Sequence, residues 1–306
     1  MLSAEELSKL VPSLRAESQA RVLRAVNDER LRGKVPAPEV EAILAAEHKT
    51  PGELMVELLP VAQLCARPPI SGYRVGAVVR GASGSLYFGA NLEVPGEMLG
   101  FSVHGEQSAV ANAYLHEESG LTALAVTAAP CGHCRQFLNE LANAGELEVI
   151  LKGSAPARLG LLLPASFGPD KLGVHERMFE SRPVDLEPIK PNADELASAA
   201  VHAASRSYAP YTKAYSGVAI RSTKGAVYQG SYLENVAYNP SLSPLQSALV
   251  GLIMAGDQFA DITDAVLAEV EAAPISQMTA TRAVLAGIAP RARLERVAVR
   301  SCSAAL

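Results

Sequence analysis

His104 and Glu106 stand one residue apart, and 23 residues separate Glu106 from Pro130, Cys131 and the further Cys134. One imidazole and two thiolates form a donor set for Zn²⁺: the thiolates balance its charge, three of four tetrahedral positions are filled, and the fourth is left for water. That open position separates a catalytic zinc from a structural one, because water on such a metal ionises at a pKa of about 7. Glu106 lies outside the donor set and is free to move protons. The chemistry expected is metal-assisted hydrolysis at carbon, with one zinc per chain.

Taken singly, these residues carry less. A Cys-x-x-Cys pair is more often half of a structural zinc site or a redox pair, and a histidine at a helix start is usually a cap. A structural site would need a fourth Cys or His, yet Cys65 and Cys302 lie far off in sequence. A redox pair would need neither His104 nor Glu106. His133, inside the cysteine pair, reads as a spacer rather than a ligand.

Local pattern indicates how the motif is held. Residues 106–117 predict a helix with Ala109, Val110, Ala113 and Tyr114 on one side, which puts His104 and Glu106 at its start. Pro130 suits the first turn of a second helix running to about residue 142, with Cys131 and Cys134 on neighbouring turns. Both helices then direct their positive ends at the metal, which favours thiolate. Arg135 and Gln136 are candidates to hydrogen-bond the sulfurs.

Residues 1–48 read as a helical N-terminal extension, with a capping box at Ser3 and Glu6 and a second short helix near 38–46. Residues 49–168 read as helix, strand 74–80, strand 85–91, helix, strand 121–128, helix and strand 147–152: a layered α/β domain. Residues 169–189, rich in Pro, Gly and charge, read as a linker to a domain at 190–306.

At 306 residues, 49% hydrophobic and 19% charged, the chain is long enough for two domains with separate cores. Four cysteines, two committed to a metal, argue against a disulfide framework. No secretory signal and no run of 18 apolar residues is legible, so the cytoplasm is the expected compartment and no membrane is involved. A net charge of −5 without a basic run argues against a nucleic-acid partner and favours a small neutral substrate.

The chain repeats itself. GSLYFG at 84–89 followed by Leu92 and Glu93 returns as GAVYQG at 225–230 followed by Leu233 and Glu234, an offset of 141. Gln107 to Ala109 return as Gln246 to Ala248, an offset of 139. Carried through the motif, this alignment puts Ser243 at His104, Leu245 at Glu106, and Ile275, Ser276, Gln277 and Met278 across the cysteine pair. The second copy lacks the means to hold zinc this way, and reads as a structural and interface domain.

The spacing H-x-E followed by P-C-x-x-C is the signature of zinc-dependent base and nucleoside deaminases. With the repeat, the whole chain resembles the long, two-domain bacterial cytidine deaminases. The resemblance rests on YRVGA at 73–77, FGANLE at 88–93, HGE at 104–106, APCGHCRQF at 129–137 and LLPASFGP at 162–169. It implies duplicated three-layer α/β/α domains with mixed sheets, an active first copy, a degenerate second copy and a homodimer. It also implies that His104, Cys131 and Cys134 bind zinc and that Glu106 gives and takes protons. Asn91, Leu92 and Glu93 would form the ribose reader, and Tyr73 and Phe167 would pack around the nucleoside. On residue type alone, Asn91 could equally stabilise a turn, Glu93 could be a solvated loop carboxylate, and the two aromatics could be core. Tyr73 stands where the family usually has an apolar aromatic, and Gly105 replaces the commoner alanine of H-A-E. The reaction implied is hydrolytic deamination of cytidine and 2′-deoxycytidine to uridine and 2′-deoxyuridine with release of ammonia, a step of pyrimidine salvage. The rivals are a polynucleotide deaminase, which should show basic surface, and a non-catalytic zinc protein, which has no use for Glu106.

Overall fold

A computed structural model describes residues 2–191 and 194–302. The chain divides into two compact units: Met1–Glu93 with Ser102–Ser166 and Met254–Gly256, and Val94–Phe101 with Phe167–Ile253 and Asp257–Leu306.

The first unit runs α1 (Ala4–Leu10), α2 (Ala16–Asn27), β1 (Lys34–Val35), α3 (Ala37–Glu47), α4 (Pro51–Gln63), β2 (Gly76–Gly81), β3 (Leu86–Ala90), α5 (Gly105–Leu115), β4 (Leu121–Val126), α6 (Gly132–Leu138), β5 (Glu148–Leu151), β6 (Ala157–Arg158) and α7 (Leu159–Leu162). Its strands lie in the order β1-β3-β2-β4-β5-β6. Only β4 and β5 run parallel; the other neighbours are antiparallel.

At the N-terminus the expected capping box forms, with Glu6 N donating to Ser3 Oγ at 3.2 Å and Ser3 N donating to Glu6 Oε2 at 2.9 Å. The extension also contains α2, whose start at Arg15 has no side-chain cap and so left no boundary signal. Nor is it purely helical. β1 pairs with β3, and Gly33 O accepts from Phe88 N at 2.9 Å and Asn112 Nδ2 at 3.2 Å, which ties the extension to the sheet and to α5.

Two glycines fix where helices meet this sheet. A Cβ on Gly76 would lie 2.7 Å from Leu59 O of α4, and one on Gly89 would lie 2.1 Å from Ala109 N of α5. Gly89 pairs with Ala77, the neighbour of Gly76, so the two glycines point to opposite faces and the unit has three layers. Gly89→Ala is therefore expected to cost about 3 kcal/mol in urea unfolding, because α5 must move away. Gly145→Ala, where nothing lies within 4 Å, should leave the midpoint nearly unchanged.

The second unit runs β7 (Leu186–Pro188), α8 (Glu195–Ser205), β8 (Ser216–Ser222), β9 (Val227–Ser231), α9 (Pro244–Met254), β10 (Ile262–Val270), α10 (Met278–Ile288) and β11 (Arg293–Ser301). Its order is β7-β11-β10-β8-β9, with β10 and β11 parallel and the rest antiparallel. Thus β9-β8-β10-β11 reproduces β3-β2-β4-β5. Here a Cβ on Gly217 would meet Ala204 N of α8 at 2.1 Å, and one on Gly230 would meet Ala248 N of α9 at 2.1 Å. Each glycine lies 141 residues after its counterpart.

The stretch expected as a linker differs from that expectation. Residues 186–188 form an edge strand against β11, and Leu186 is buried in the second core. Pro188 disguised it, since proline is tolerated in a sheet only where its missing N–H faces no partner, as at an edge. The cysteine-bearing helix is also shorter than expected: Cys131 is its N-cap and Pro130 precedes the cap. Among the described residues, no helix is long and apolar enough to cross a membrane.

Candidate metal centre and active site

The starts of α5 and α6 converge. His104 is the N-cap of α5 and Cys131 that of α6, both with extended backbone, and Cys134 follows one turn into α6. His104 Nδ1 lies 3.4 Å from Cys131 Sγ and 3.2 Å from Cys134 Sγ, and the two sulfurs are 3.6 Å apart. Tetrahedral zinc with Zn–S of about 2.3 Å and Zn–N of about 2.0 Å requires edges of about 3.8 Å between sulfurs and about 3.6 Å from sulfur to nitrogen. The donor triangle is close to that size. Burial, then the charges of Glu106 and Cys131, pushes the Cys134 thiol above its usual range. Among the described residues, His104, Cys131 and Cys134 are the group of His, Cys, Asp or Glu whose spacing suits a metal ion.

Neighbouring side chains hold the two helix starts together. Gln107 Oε1 accepts from His104 N at 3.3 Å, and Gln107 Nε2 lies 3.3 Å from His133 Nε2. His133 is thus outside the donor group but links α6 to α5. Arg135 does not reach the sulfurs. Its Nε donates to Pro130 O and its Nη1 to Leu162 O, both at 2.8 Å, so it braces the turn before α6 against α7.

Glu106 is 4% exposed, and burial pushes its carboxyl above the usual range. A buried carboxyl, raised above its usual range, thus adjoins Cys134 of the donor set. Gly105 has a local reason: Val75 Cγ1 stands 2.9 Å from where an alanine methyl would be.

The residues expected to meet the sugar lie on one connected stretch. Asn91 is buried; its Oδ1 accepts from Val75 N and its Nδ2 donates to Tyr73 O, both at 2.9 Å. Leu92 is 1% exposed and exchanges backbone bonds with Val103 at 2.8 and 2.9 Å, one residue before His104. Its side chain belongs to the core, and its backbone sets the spacing between this stretch and the donor set. Glu93 accepts from Ile70 N at 2.8 Å, Ser71 N at 3.0 Å and the Ser71 hydroxyl. Burial raises the Glu93 carboxyl, but these bonds outweigh it and hold the group below its usual range. Tyr73 is 60% exposed, whereas Phe167 lies in the second unit and is about half exposed. Ser71 was not singled out from sequence, although its counterpart Thr212 lies at the repeat offset of 141.

In the second unit the same helix start carries other residues. Ser243 N donates to Gln246 Oε1 at 2.9 Å and Gln246 N to Ser243 Oγ at 3.3 Å, so Ser243 caps α9 where His104 caps α5, and buried Leu245 takes the place of Glu106. Gln277 caps α10. Counted from the caps, Gln277 corresponds to Cys131 and Ala280 to Cys134, which shifts the expected 275–278 match. Glu269 gathers this helix start by accepting from Ser276 Oγ, Gln277 N and Arg296 Nε.

Comparison with known proteins adds the following. Residues 48–148 match a family model described as the cytidine and deoxycytidylate deaminase zinc-binding region, and residues 159–282 match a second model of the same description. The chain is 43% identical over 275 residues to the cytidine deaminase of Serratia proteamaculans (strain 568), covering 87% of this chain and 93% of that protein. It is 44% identical over 261 residues to the cytidine deaminase of Proteus mirabilis (strain HI4320), covering 85% and 88%. A crystal structure of cytidine deaminase from Mycobacterium tuberculosis, 29% identical, covers 39% of this chain and 99% of its own, with a TM-score of 0.36.

Proposed function

Because the chain belongs to the cytidine deaminases, zinc-dependent hydrolases acting on a cyclic amidine, we propose that the first copy, residues 49–168, houses its one active site and that Glu106 performs the proton transfers there. The reaction is hydrolytic deamination of cytidine to uridine and ammonia. His104, Cys131 and Cys134 would hold the zinc, and the chemistry it would supply there is to make the attacking water acidic near neutral pH.

Glu106 takes the proton of that water and delivers it to N3 of the cytosine ring as the C4–O bond forms. It then carries the second proton to the amine at C4, the C–N bond breaks, ammonia leaves and the carbonyl of uridine remains. Burial, which raises this carboxyl above its usual range, makes the proton easier to accept and to hold than on a solvated glutamate. The observation carrying this reading is the buried Glu106 carboxyl beside the donor triangle.

Asn91 and Glu93 are assigned to the sugar, with Tyr73 and Phe167 around the nucleoside. Asn91 has spent one donor and one acceptor on residues 73–75 and retains one of each, which matches a ribose hydroxyl. The 3′-hydroxyl is common to ribose and deoxyribose, so the reading extends to 2′-deoxycytidine and to pyrimidine salvage. Absorbance change on mixing the purified protein with either nucleoside tests this, and turnover of RNA without turnover of free nucleoside would overturn it. Asn91→Ala should lower kcat/KM for cytidine by about 10-fold through lost hydrogen bonds; an unchanged KM would remove Asn91 from the sugar site.

The second copy, residues 190–306, is assigned a structural, non-catalytic role in a cytoplasmic homodimer. Sedimentation at twice the 32.1 kDa chain mass is the expected result, and a monomer at working concentration would reject that assembly.

A further inference from the structure

Glu93 and Glu234 lie 141 residues apart and share three bonds, to which Glu234 adds one from the Tyr232 hydroxyl at 3.5 Å. Glu93 accepts from Ile70 N, Ser71 N and the Ser71 hydroxyl; Glu234 accepts from Tyr211 N at 2.8 Å, Thr212 N at 3.2 Å and Thr212 Oγ1 at 2.6 Å. The hydroxyls act in both directions. Ser71 Oγ accepts from Tyr73 N at 3.0 Å, and Thr212 Oγ1 from Ala214 N at 3.1 Å. This clamp therefore belongs to the fold: it locks the turn that feeds β2 in one copy and β8 in the other.

The copies differ in what surrounds the clamp. Glu234 is fully buried, whereas Glu93 is only partly buried and stands two residues from Asn91. Asn91 grips the backbone of Tyr73 and Val75, while Tyr232 occupies its position in the second copy. A carboxylate has about four acceptor positions. Three on Glu93 are taken by Ile70 and Ser71, which leaves one for an incoming hydroxyl.

We propose that Ser71 is a positioning residue for sugar recognition, its hydroxyl orienting the Glu93 carboxylate towards the ribose while holding the turn that carries Tyr73. This rests on the assignment of Glu93 to the sugar. Without the Ser71 hydroxyl, the carboxylate regains rotation and a second open acceptor position, and the Tyr73 amide loses its partner. Sugar binding then weakens with little direct effect on the groups that move protons.

The test is steady-state cytidine kinetics with thermal melting on S71A, S71T, E93Q, S71A/E93Q and T212A. S71A is expected to lower kcat/KM by roughly 10-fold, mainly through KM, as loss of a hydrogen bond to a charged group does. S71T should recover to within about 3-fold, since threonine fills this role at Thr212. The double variant should be no worse than E93Q alone, because Ser71 acts through Glu93. T212A makes the matched lesion in the second copy and should lower the melting temperature about as much as S71A while leaving KM within about 2-fold. S71C, with a weaker donor of similar shape, replaces S71A should that variant not accumulate folded. The inference is overturned if S71A keeps its KM, if its loss falls wholly on kcat, or if its loss adds in full to that of E93Q. A normal KM for E93Q means that the sugar assignment itself has failed, and the role of Ser71 falls with it.

Discussion

Glu106→Gln is expected to keep one zinc per chain and to deaminate cytidine roughly 10⁴-fold more slowly, the upper range for loss of a general acid–base. Glutamine preserves the length of the side chain and its place beside Cys134, so the donor triangle remains, but it cannot take a proton from water or return one to the ring. In the proposed mechanism both transfers pass through the same carboxyl, whose burial keeps bulk water from taking its place. Stopped-flow or steady-state absorbance on metal-assayed protein checks this. Near-normal turnover by a fully loaded variant would remove Glu106 from the mechanism.

Cys134→Ala is expected to abolish both metal binding and turnover. Cys134 is 0% exposed and forms two edges of the donor triangle, at 3.6 Å to Cys131 and 3.2 Å to His104. Two remaining donors do not make a tight zinc site, so metal content should fall from one per chain to below about 0.1 after dialysis. The second unit offers no such donor set, because Ser243 and Gln277 stand at the equivalent cap positions and Ala280 one turn into the helix. Metal analysis of the wild type and the variant decides the matter. Two tightly bound zincs in the wild type, or one retained by the variant, would each contradict the single-centre reading.

Several parts of this arrangement were legible in the sequence for a physical reason. His104, Glu106, Cys131 and Cys134 are placed by helix starts, whose geometry spans only a few residues, so their spacing already implied convergence. The repeat likewise indicated one fold built twice, while its mixed sheets were implied by the family resemblance. Features set by distant partners were not legible. Arg135 chose the carbonyls of Pro130 and Leu162 over the sulfurs, a choice among acceptors that helical spacing does not encode. β1 and β7, of two and three residues, owe their existence to β3 and β11 and have no periodicity of their own. Asn91 and Glu93 were found through family likeness, but their ties to residues 70–75 required the register of β2 against β3.

The repeated carboxylate clamp has a consequence beyond the turn it holds. Gly76 and Gly217, Gly89 and Gly230, and Glu93 and Glu234 show which positions the architecture demanded in both halves. Subtracting that shared background leaves His104 against Ser243, Glu106 against Leu245, Asn91 against Tyr232, Cys131 against Gln277 and Cys134 against Ala280. One molecule thus carries its own internal control, a half that shares the scaffold but has other residues at the positions of the donor set and its carboxyl. The residue differences between the halves form a minimal parts list for anyone seeking to write a second copy of the donor set into the other half.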